Sequence, residues 1–531
     1  MAGVASRPMP RSSSAGAREG APGTRGGAPA GRRRGASSGP GRRGVLLWLA
    51  AAVISGFTMW RYLEPFDEGL LLQAASRMAG GQWPYRDFAW PYGPGQPSVV
   101  AAAFELFGPS VVWWRVVRVA ADATIAVLVW ALVLRGAGER WALVAWLAGA
   151  VTIAQPTGAN PFTVALAFAL GAVLAVSCQR PLLAAALVAM TAFWRLDLGL
   201  VAALAALFAA GGRAPARRVA VAAVLGTAAL YLPFAATAGL DRMYDSLVAT
   251  AADGGGYWSL PFPLAYMGPL RSWPPRALAE DLKDVLGFYL PLIGAVGGAC
   301  VAAALLARRR RPGPEVAGLL VLAAGAALYL GSRPDDLHAQ PLLVVLCALI
   351  PLAVVRAPAA LRVALAAALG VILLAGAANR LSALLLPPDL EPVRVAGVPG
   401  IRVPPAEARA LPALVGRVQA LVPPGEPIHV APRRSDLVTL TDPLIHFLVR
   451  RPNVLFRDVL VQARPEEQER IVAALRRTRP RAVVRWTDPA SSRPEPNRRG
   501  RPSGSRALDE HLAAAYRLDG RFGAYDVLVP R

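Results

Sequence analysis

The sequence is poor in charge and nearly free of lysine and cysteine. Only 17% of its 531 residues are Asp, Glu, Lys or Arg, and 55% are hydrophobic. Soluble domains carry roughly a quarter charged residues, so an ordinary soluble chain is excluded. Lys283 is the only lysine, and alanine, arginine and proline abound. That bias reads as GC-rich, bacterial coding and carries no mechanism. The three cysteines, Cys178, Cys300 and Cys347, lie far apart, each in or at the end of an apolar run. Without paired spacing they argue against a disulfide framework or a cysteine metal site and read as small buried hydrophobes.

What is abundant is apolar sequence, in long recurring runs that predict a polytopic membrane protein. A net charge of +23 invites comparison with nucleic-acid binders. The arginines, however, gather in the N-terminal tail, in short connections between apolar runs and in the C-terminal region. That is the distribution of orientation signals and contacts with anionic membrane lipids, so no nucleic-acid partner is expected.

Residues 1–43 are rich in Gly, Ser, Pro, Ala and Arg and almost free of aliphatic side chains. They are expected to form a disordered cytoplasmic tail. The run 44–60 follows "GRRG" and reads as an uncleaved signal anchor, because no small-residue cleavage site precedes the loop after it. Ten further apolar runs lie near 111–134, 141–155, 161–177, 182–193, 199–210, 217–238, 286–306, 316–331, 339–355 and 359–378. With the N-terminus inside, the connections 135–140, 179–181, 211–218, 308–315 and 356–358 fall inside, and all of them carry arginine. The positive-inside rule then gives about eleven spans in the plasma (inner) membrane, the N-terminus inside and the C-terminus outside. This parity requires residues 182–210 to be two short helices broken at "WRLDLG", since an Arg–Asp pair at mid-membrane is expensive. The expected architecture is mainly α: a transmembrane domain over 44–380 with its first extracytoplasmic loop at 61–110, then a small extracytoplasmic α/β domain over 381–531. In that domain "EPIHVAP" and "RAVVRW" read as strands. "DPLIHFLVRR", "PEEQERIVAALRR" and "ALDEHLAAAYRL" read as helices, "RFGAYDVLVPR" as a terminal strand, and 488–506 as a mobile loop.

Three compact ionisable clusters fall on the predicted outer side. Asp67 and Glu68, with Asp87 in "PYRDF", are the first. Arg195 and Asp197 are the second, and Arg333, Asp335, Asp336 and His338 in "RPDDLH" are the third. Charged groups at bilayer depth are functional candidates by default. Plainer readings stand beside this one. Asp67 can cap a helix, Asp197 can neutralise Arg195, "RPDDLH" can be a solvated turn, and Tyr62, Trp83, Tyr85, Trp90 and Tyr92 can form an interfacial belt. The chemistry such clusters support is transfer to a hydroxyl or amine at the membrane surface. A carboxylate takes the acceptor's proton, and arginines with His338 hold a donor phosphate. Asp87, Asp197, Asp335 and Asp336 are supporting acids that orient arginine or help bind a divalent cation; no metal is assigned. In "HVAPRRSD", His429, Arg433, Arg434 and Asp436 are candidate acceptor contacts, or an ordinary solvated strand end.

The stretch "FDEGLLLQAASRMAGGQWPYRDFAWPYGPGQP" resembles the first extracytoplasmic loop of bacterial GT-C glycosyltransferases, the superfamily that includes protein O-mannosyltransferases and aminoarabinose transferases. "WRLDLG" and "RPDDLH" are similar to later motifs of the same group. The resemblance covers roughly 45–380. It implies sugar transfer from a polyprenyl-phosphate-linked donor to a cell-envelope acceptor on the outer face, usually with inversion. It further implies Asp67 as catalytic base, Glu68 as its support or a second acid, and Arg195, Arg333 and His338 around the donor phosphate. The alternative is a non-enzymatic flippase of lipid-linked sugars, which predicts polar residues spread through the depth of the spans.

Overall fold

A computed structural model describes residues 40–250, 257–261, 272–307, 313–458 and 464–531. The tail expected to be disordered lies outside the described residues as far as residue 39. The chain divides into two compact units, Met1–Arg43 and Gly44–Arg531. The second contains both sheets and nearly all of the helical residues.

Each apolar run coincides with a helix. These are α1 (Pro40–Gly56), α4 (Val111–Ala137), α5 (Glu139–Ile153), α6 (Phe162–Ser177), α7 (Pro181–Trp194), α8 (Leu196–Ala209), α9 (Arg213–Ala238), α11 (Pro275–Ala307), α12 (Pro314–Ser332), α13 (Asp336–Val354) and α14 (Ala359–Leu385). Among the described residues, five are long and apolar enough to cross a membrane: α4, α9, α12, α13 and α14. Helix α13 is the central one. Its apolar stretch is 89% buried, and it packs against α4, α5, α11, α12 and α14. The corresponding stretches of α9 and α14 are only 17% buried, which leaves their apolar faces to lipid. The 182–210 stretch does break at Arg195, whose backbone is extended (φ −148°, ψ 111°). Gly199 lets α8 approach α7 closely, since a Cβ there would press on the Ala192 backbone.

Three short helices complete the first half: α2 (Asp67–Ala79), α3 (Gly95–Phe107) and α10 (Leu240–Tyr244). After α14 the chain forms a two-stranded ribbon, β1 (Glu391–Pro392) with β2 (Arg402–Val403), and a four-stranded sheet in the order β3 (His429–Ala431), β4 (Val483–Trp486), β6 (Tyr525–Pro530), β5 (Tyr516–Phe522). Strands β3 and β4 are parallel, and the other pairs are antiparallel. Helices α17 (Pro465–Thr478) and α18 (Ala507–Ala515) bury Ile471, Leu475, Leu508 and Leu512 together against the sheet. The helix expected over 507–518 ends at Ala515, because Tyr516 already pairs with Pro530 across the hairpin. Helix α15 (Pro405–Leu421) adds to the expected elements. The 488–506 loop, expected to be mobile, bonds to the segment after β3: the Gly500 amide donates to the Val438 carbonyl and the Ser503 amide to the Asp436 carbonyl, both at 2.8 Å.

This region docks on the first loop. The Arg402 amide donates to the Trp60 carbonyl and the Tyr62 amide to the Arg402 carbonyl, both at 2.8 Å. The short helix α16 (Leu444–Val449) packs on α2 so closely that a Cβ at Gly69 would overlap the Leu444 backbone.

Candidate active site

The site is built on the start of α2. Phe66 occupies the N-cap and supplies no side-chain bond. The free amides of the first turn are satisfied by Glu64, whose carboxylate accepts from the Phe66 amide at 2.9 Å and the Glu68 amide at 2.6 Å. Glu64 therefore performs the capping that the sequence offered to Asp67. Burial, with nearby Asp67 next, pushes the Glu64 carboxyl up to about 8.

With the cap supplied elsewhere, the Asp67 carboxylate accepts no hydrogen bond among the described residues. It remains partly exposed although it lies deep among other groups. Burial raises its carboxyl above the ordinary value. His338 opposes that most, Asp335 adds to it, and Arg333 and Arg195 oppose it further. Residues from two remote stretches, 195 and 333–338, thus converge on one carboxylate.

Glu68 points the other way. Both of its oxygens are taken by Arg115, at 2.8 and 2.7 Å, and both side chains are fully buried. Arg115 spends its remaining donors on the Met59 and Tyr62 carbonyls. The pair pins α4 to the loop between α1 and α2, and Glu68 offers the cleft no free oxygen.

Arg195 sits at the α7–α8 break in an aromatic cage. Its guanidinium lies over the rings of Tyr329, Phe162 and Tyr92, at 4.9, 5.2 and 5.4 Å from their centroids. Such contacts favour a cation. Asp197 grips it twice, at 2.9 and 2.7 Å, so the neutralising role foreseen for Asp197 is present within the cluster. Tyr329 also stacks on His338, with centroids 4.5 Å apart, and its hydroxyl accepts from Asn160 at 3.1 Å.

Asp335 organises the third cluster as the N-cap of α13. Its Oδ1 accepts from the His338 amide at 2.9 Å and meets His338 Nδ1 at 2.6 Å, and its Oδ2 accepts from Arg333 Nε at 2.7 Å. Burial works against the charge on Asp335, but His338 and Arg333 outweigh it and hold the carboxyl below its usual value. Arg333 bonds Glu495 as well, at 3.1 and 3.2 Å. Glu495 is a residue that the sequence hides in a loop of no regular pattern. Asp335 and Asp336 also line a cavity of about 820 Å³ with Lys283, Gln340 and Asn379 and an apolar wall that includes Leu286, Leu290 and Leu343. Among the described residues no three His, Cys, Asp or Glu side chains are grouped to hold a metal ion. Both oxygens of Asp335 are already occupied by His338 and Arg333.

Other expectations need correction. Asp87 does not join the cluster. It accepts from Arg86 at 2.7 Å and from the Trp83 amide at 2.8 Å, closing its own surface turn. Tyr85 and Trp90 are fully buried and do not form an interfacial belt; Tyr85 donates to the Tyr92 carbonyl at 2.7 Å and so fixes the loop behind Arg195. His429 is buried in the sheet, and Arg434 pairs with Asp436 at 2.6 Å, so "HVAPRRSD" presents no open cluster. Charge also enters the spans. Arg118 and Asp122 pair at 2.8 Å inside α4, with Ser55 donating to Asp122 at 2.6 Å, so ionisable groups are not confined to the mouth. The pattern was visible as "RVVRVAAD", an i,i+4 spacing within an apolar run. A second cavity of about 520 Å³, lined by Arg86, Arg242, Arg457 and Phe456, opens between the first loop and the C-terminal region.

Against solved structures, the chain matches ArnT from Cupriavidus metallidurans in the apo state with a TM-score of 0.54 over 92% of this chain and 98% of that one, at 14% identity. It has the GT-C fold. The same ArnT bound to undecaprenyl phosphate matches with a TM-score of 0.53 over 91% and 97%, at 15% identity. An Archaeoglobus fulgidus oligosaccharyltransferase tethered to an acceptor peptide matches at 0.49 over 83% and 69%, at 14% identity. No protein-family model matches the sequence, and no curated protein does.

Proposed function

We propose that this protein is an integral membrane glycosyltransferase that moves a sugar from a polyprenyl-phosphate-linked donor to a cell-envelope glycan, lipid or protein. The observation that carries this reading is the convergence on Asp67 of Arg195, Arg333 and His338. The GT-C fold supports it, and so does the ArnT structure in which that protein binds undecaprenyl phosphate. The eleven helices form an eleven-span domain over 44–380. The region 381–531 is an extracytoplasmic domain, and the site faces outward.

The chemistry follows from the groups present. An acceptor hydroxyl or amine attacks the anomeric carbon and gives its proton to the free Asp67 carboxylate. The bond from that carbon to the phosphate oxygen breaks, and its electron pair leaves with the polyprenyl phosphate. Arg195, Arg333 and His338 take up the growing charge on that phosphate. The aromatic cage and the Asp197 and Asp335 grips keep these groups aimed, so little reorganisation is needed as charge develops. The apolar wall of the 820 Å³ cavity suits the first isoprene units. The acceptor enters by the cavity at Arg242 and Arg457.

The test is reconstitution in proteoliposomes with a radiolabelled polyprenyl-phosphate sugar and crude envelope acceptor. Transfer by wild type is expected, with a loss of at least ~10²-fold in Asp67→Asn, the scale of a removed general base. Equal labelling by both proteins removes Asp67 as base. Translocation of the donor without transfer replaces the reading with a flippase.

A further inference from the structure

A groove remains outside the cluster around Asp67. It has a volume of about 700 Å³ and runs between α4, α6 and α7. Its walls are mostly small or aliphatic, with Ala120 and Leu128 from α4, Ala167 and Gly171 from α6 and Leu187 from α7, and with Phe168 as an aromatic exception. Among the lining residues only Arg180, in the connection between α6 and α7, is charged.

Its depth can be placed from helix geometry. On α4, Arg115 grips Glu68 beside the candidate active site, and Arg135 reaches Glu315, the Ser177 carbonyl and Cys178. Twenty residues separate the two arginines, or about 30 Å of helix, which is the thickness of the hydrocarbon core. The arginine end of the groove therefore lies at the opposite membrane face. Along α4 the lining runs from Val117, two residues past Arg115, to Leu128, and along α6 from Val164 to Ala175, about 17 Å on each helix, a length comparable with the depth of one leaflet; it continues to Cys178 and Arg180. Arg135 is already paired at 2.8 Å. Arg180 is exposed and has no carboxylate partner among the described residues.

We propose that this groove holds one acyl chain of an anionic glycerophospholipid, with its phosphate on Arg180. The groove supplies apolar contact over the length of one leaflet, and the unpaired guanidinium at its polar end supplies the charge complement. Basic sites between spans on the face carrying the arginine-rich connections are where anionic lipid headgroups collect. The proposal does not depend on the transferase reading, and it concerns a lipid that stays bound while donor and acceptor turn over at the other face.

Native mass spectrometry of the purified full-length protein tests it, with phosphatidylglycerol or phosphatidylcholine added at equal concentration. Wild type is expected to retain phosphatidylglycerol about fivefold over phosphatidylcholine, the factor that roughly 1 kcal/mol per basic residue provides. Arg180→Gln brings that ratio to about one while the protein still folds, since the side chain is at the surface. Ala120→Phe, which fills the groove, loses both lipids. Equal retention by wild type, or an unchanged ratio in Arg180→Gln, overturns the proposal. Preferential retention of a polyprenyl phosphate in wild type but not in Ala120→Phe also overturns it and gives the groove to the carrier.

Discussion

At the scale of single residues, two adjacent acids have opposite fates. Glu68 is spent in a fully buried ion pair with Arg115, whereas the Asp67 carboxylate has no hydrogen-bond partner among the described residues and lies in the field of Arg195, Arg333 and His338. Removing one partner of a buried pair leaves the other uncompensated, at a cost of about 3–5 kcal/mol. Glu68→Gln is therefore expected to lower the thermal unfolding midpoint strongly, and a variant as stable as wild type would show that the pair is not closed. For Asp67 the expected loss is in activity with stability kept. The raised carboxyl of Asp67 sets the sign of the pH dependence. The base form is lost as pH falls through that raised value, so the acid limb of kcat/KM lies above the ordinary Asp value of about 3.9. His338 opposes the rise, so His338→Gln is expected to move the limb to still higher pH. A limb that does not move would mean that His338 does not face Asp67.

At the scale of elements, two junctions matter. The first is α2 against α16, where Gly69 leaves no room for a side chain beside Leu444. Gly69→Ala is expected to separate α16 from α2 and expose the 444–449 segment to limited proteolysis. The second is the β3–α16 neighbourhood, which holds three buried titratable groups outside the spans. Burial pushes Asp442 up to about 7 and drops His429 to about 3 and His446 to about 4. Between roughly pH 4 and 6.5 the unfolded chain binds about two more protons at the histidines, and the native chain about one more at Asp442. For these groups the net is about one proton in favour of the unfolded state, so stability rises with pH by about 1.4 kcal/mol per unit. Asp442 opposes the trend, and Asp442→Asn should roughly double the slope. A flatter melting profile for that variant would refute the assignment.

At the scale of the whole molecule, charge is sorted along the bundle axis. Asp67, Arg195, Arg333 and His338 collect at one end of the helices, and Arg135, Glu315 and Arg180 at the other. In sealed right-side-out vesicles an impermeant maleimide is expected to label Arg86→Cys directly. The exposed native Cys178 should react only after permeabilisation. The reverse pattern would turn the site toward the cytoplasm, away from an envelope acceptor.

How much of this the sequence carried alone depends on the range of the forces involved. Helix positions were legible because apolar runs of this length must satisfy their backbone internally. The break at Arg195 was legible because a charge at mid-membrane is costly. The three clusters were visible as residue types, and the GT-C resemblance of residues 62–97 agrees with the fold. Partner choice was not legible. That Glu64 caps α2, that Arg115 consumes Glu68, that Asp87 turns away and that Glu495 reaches Arg333 depend on contacts between residues from 1 to 162 positions apart. Strand β5 likewise overrode a helical pattern because its hydrogen bonds come from β6. Local periodicity reports which face is apolar; only the packed chain decides which carboxylate is left free.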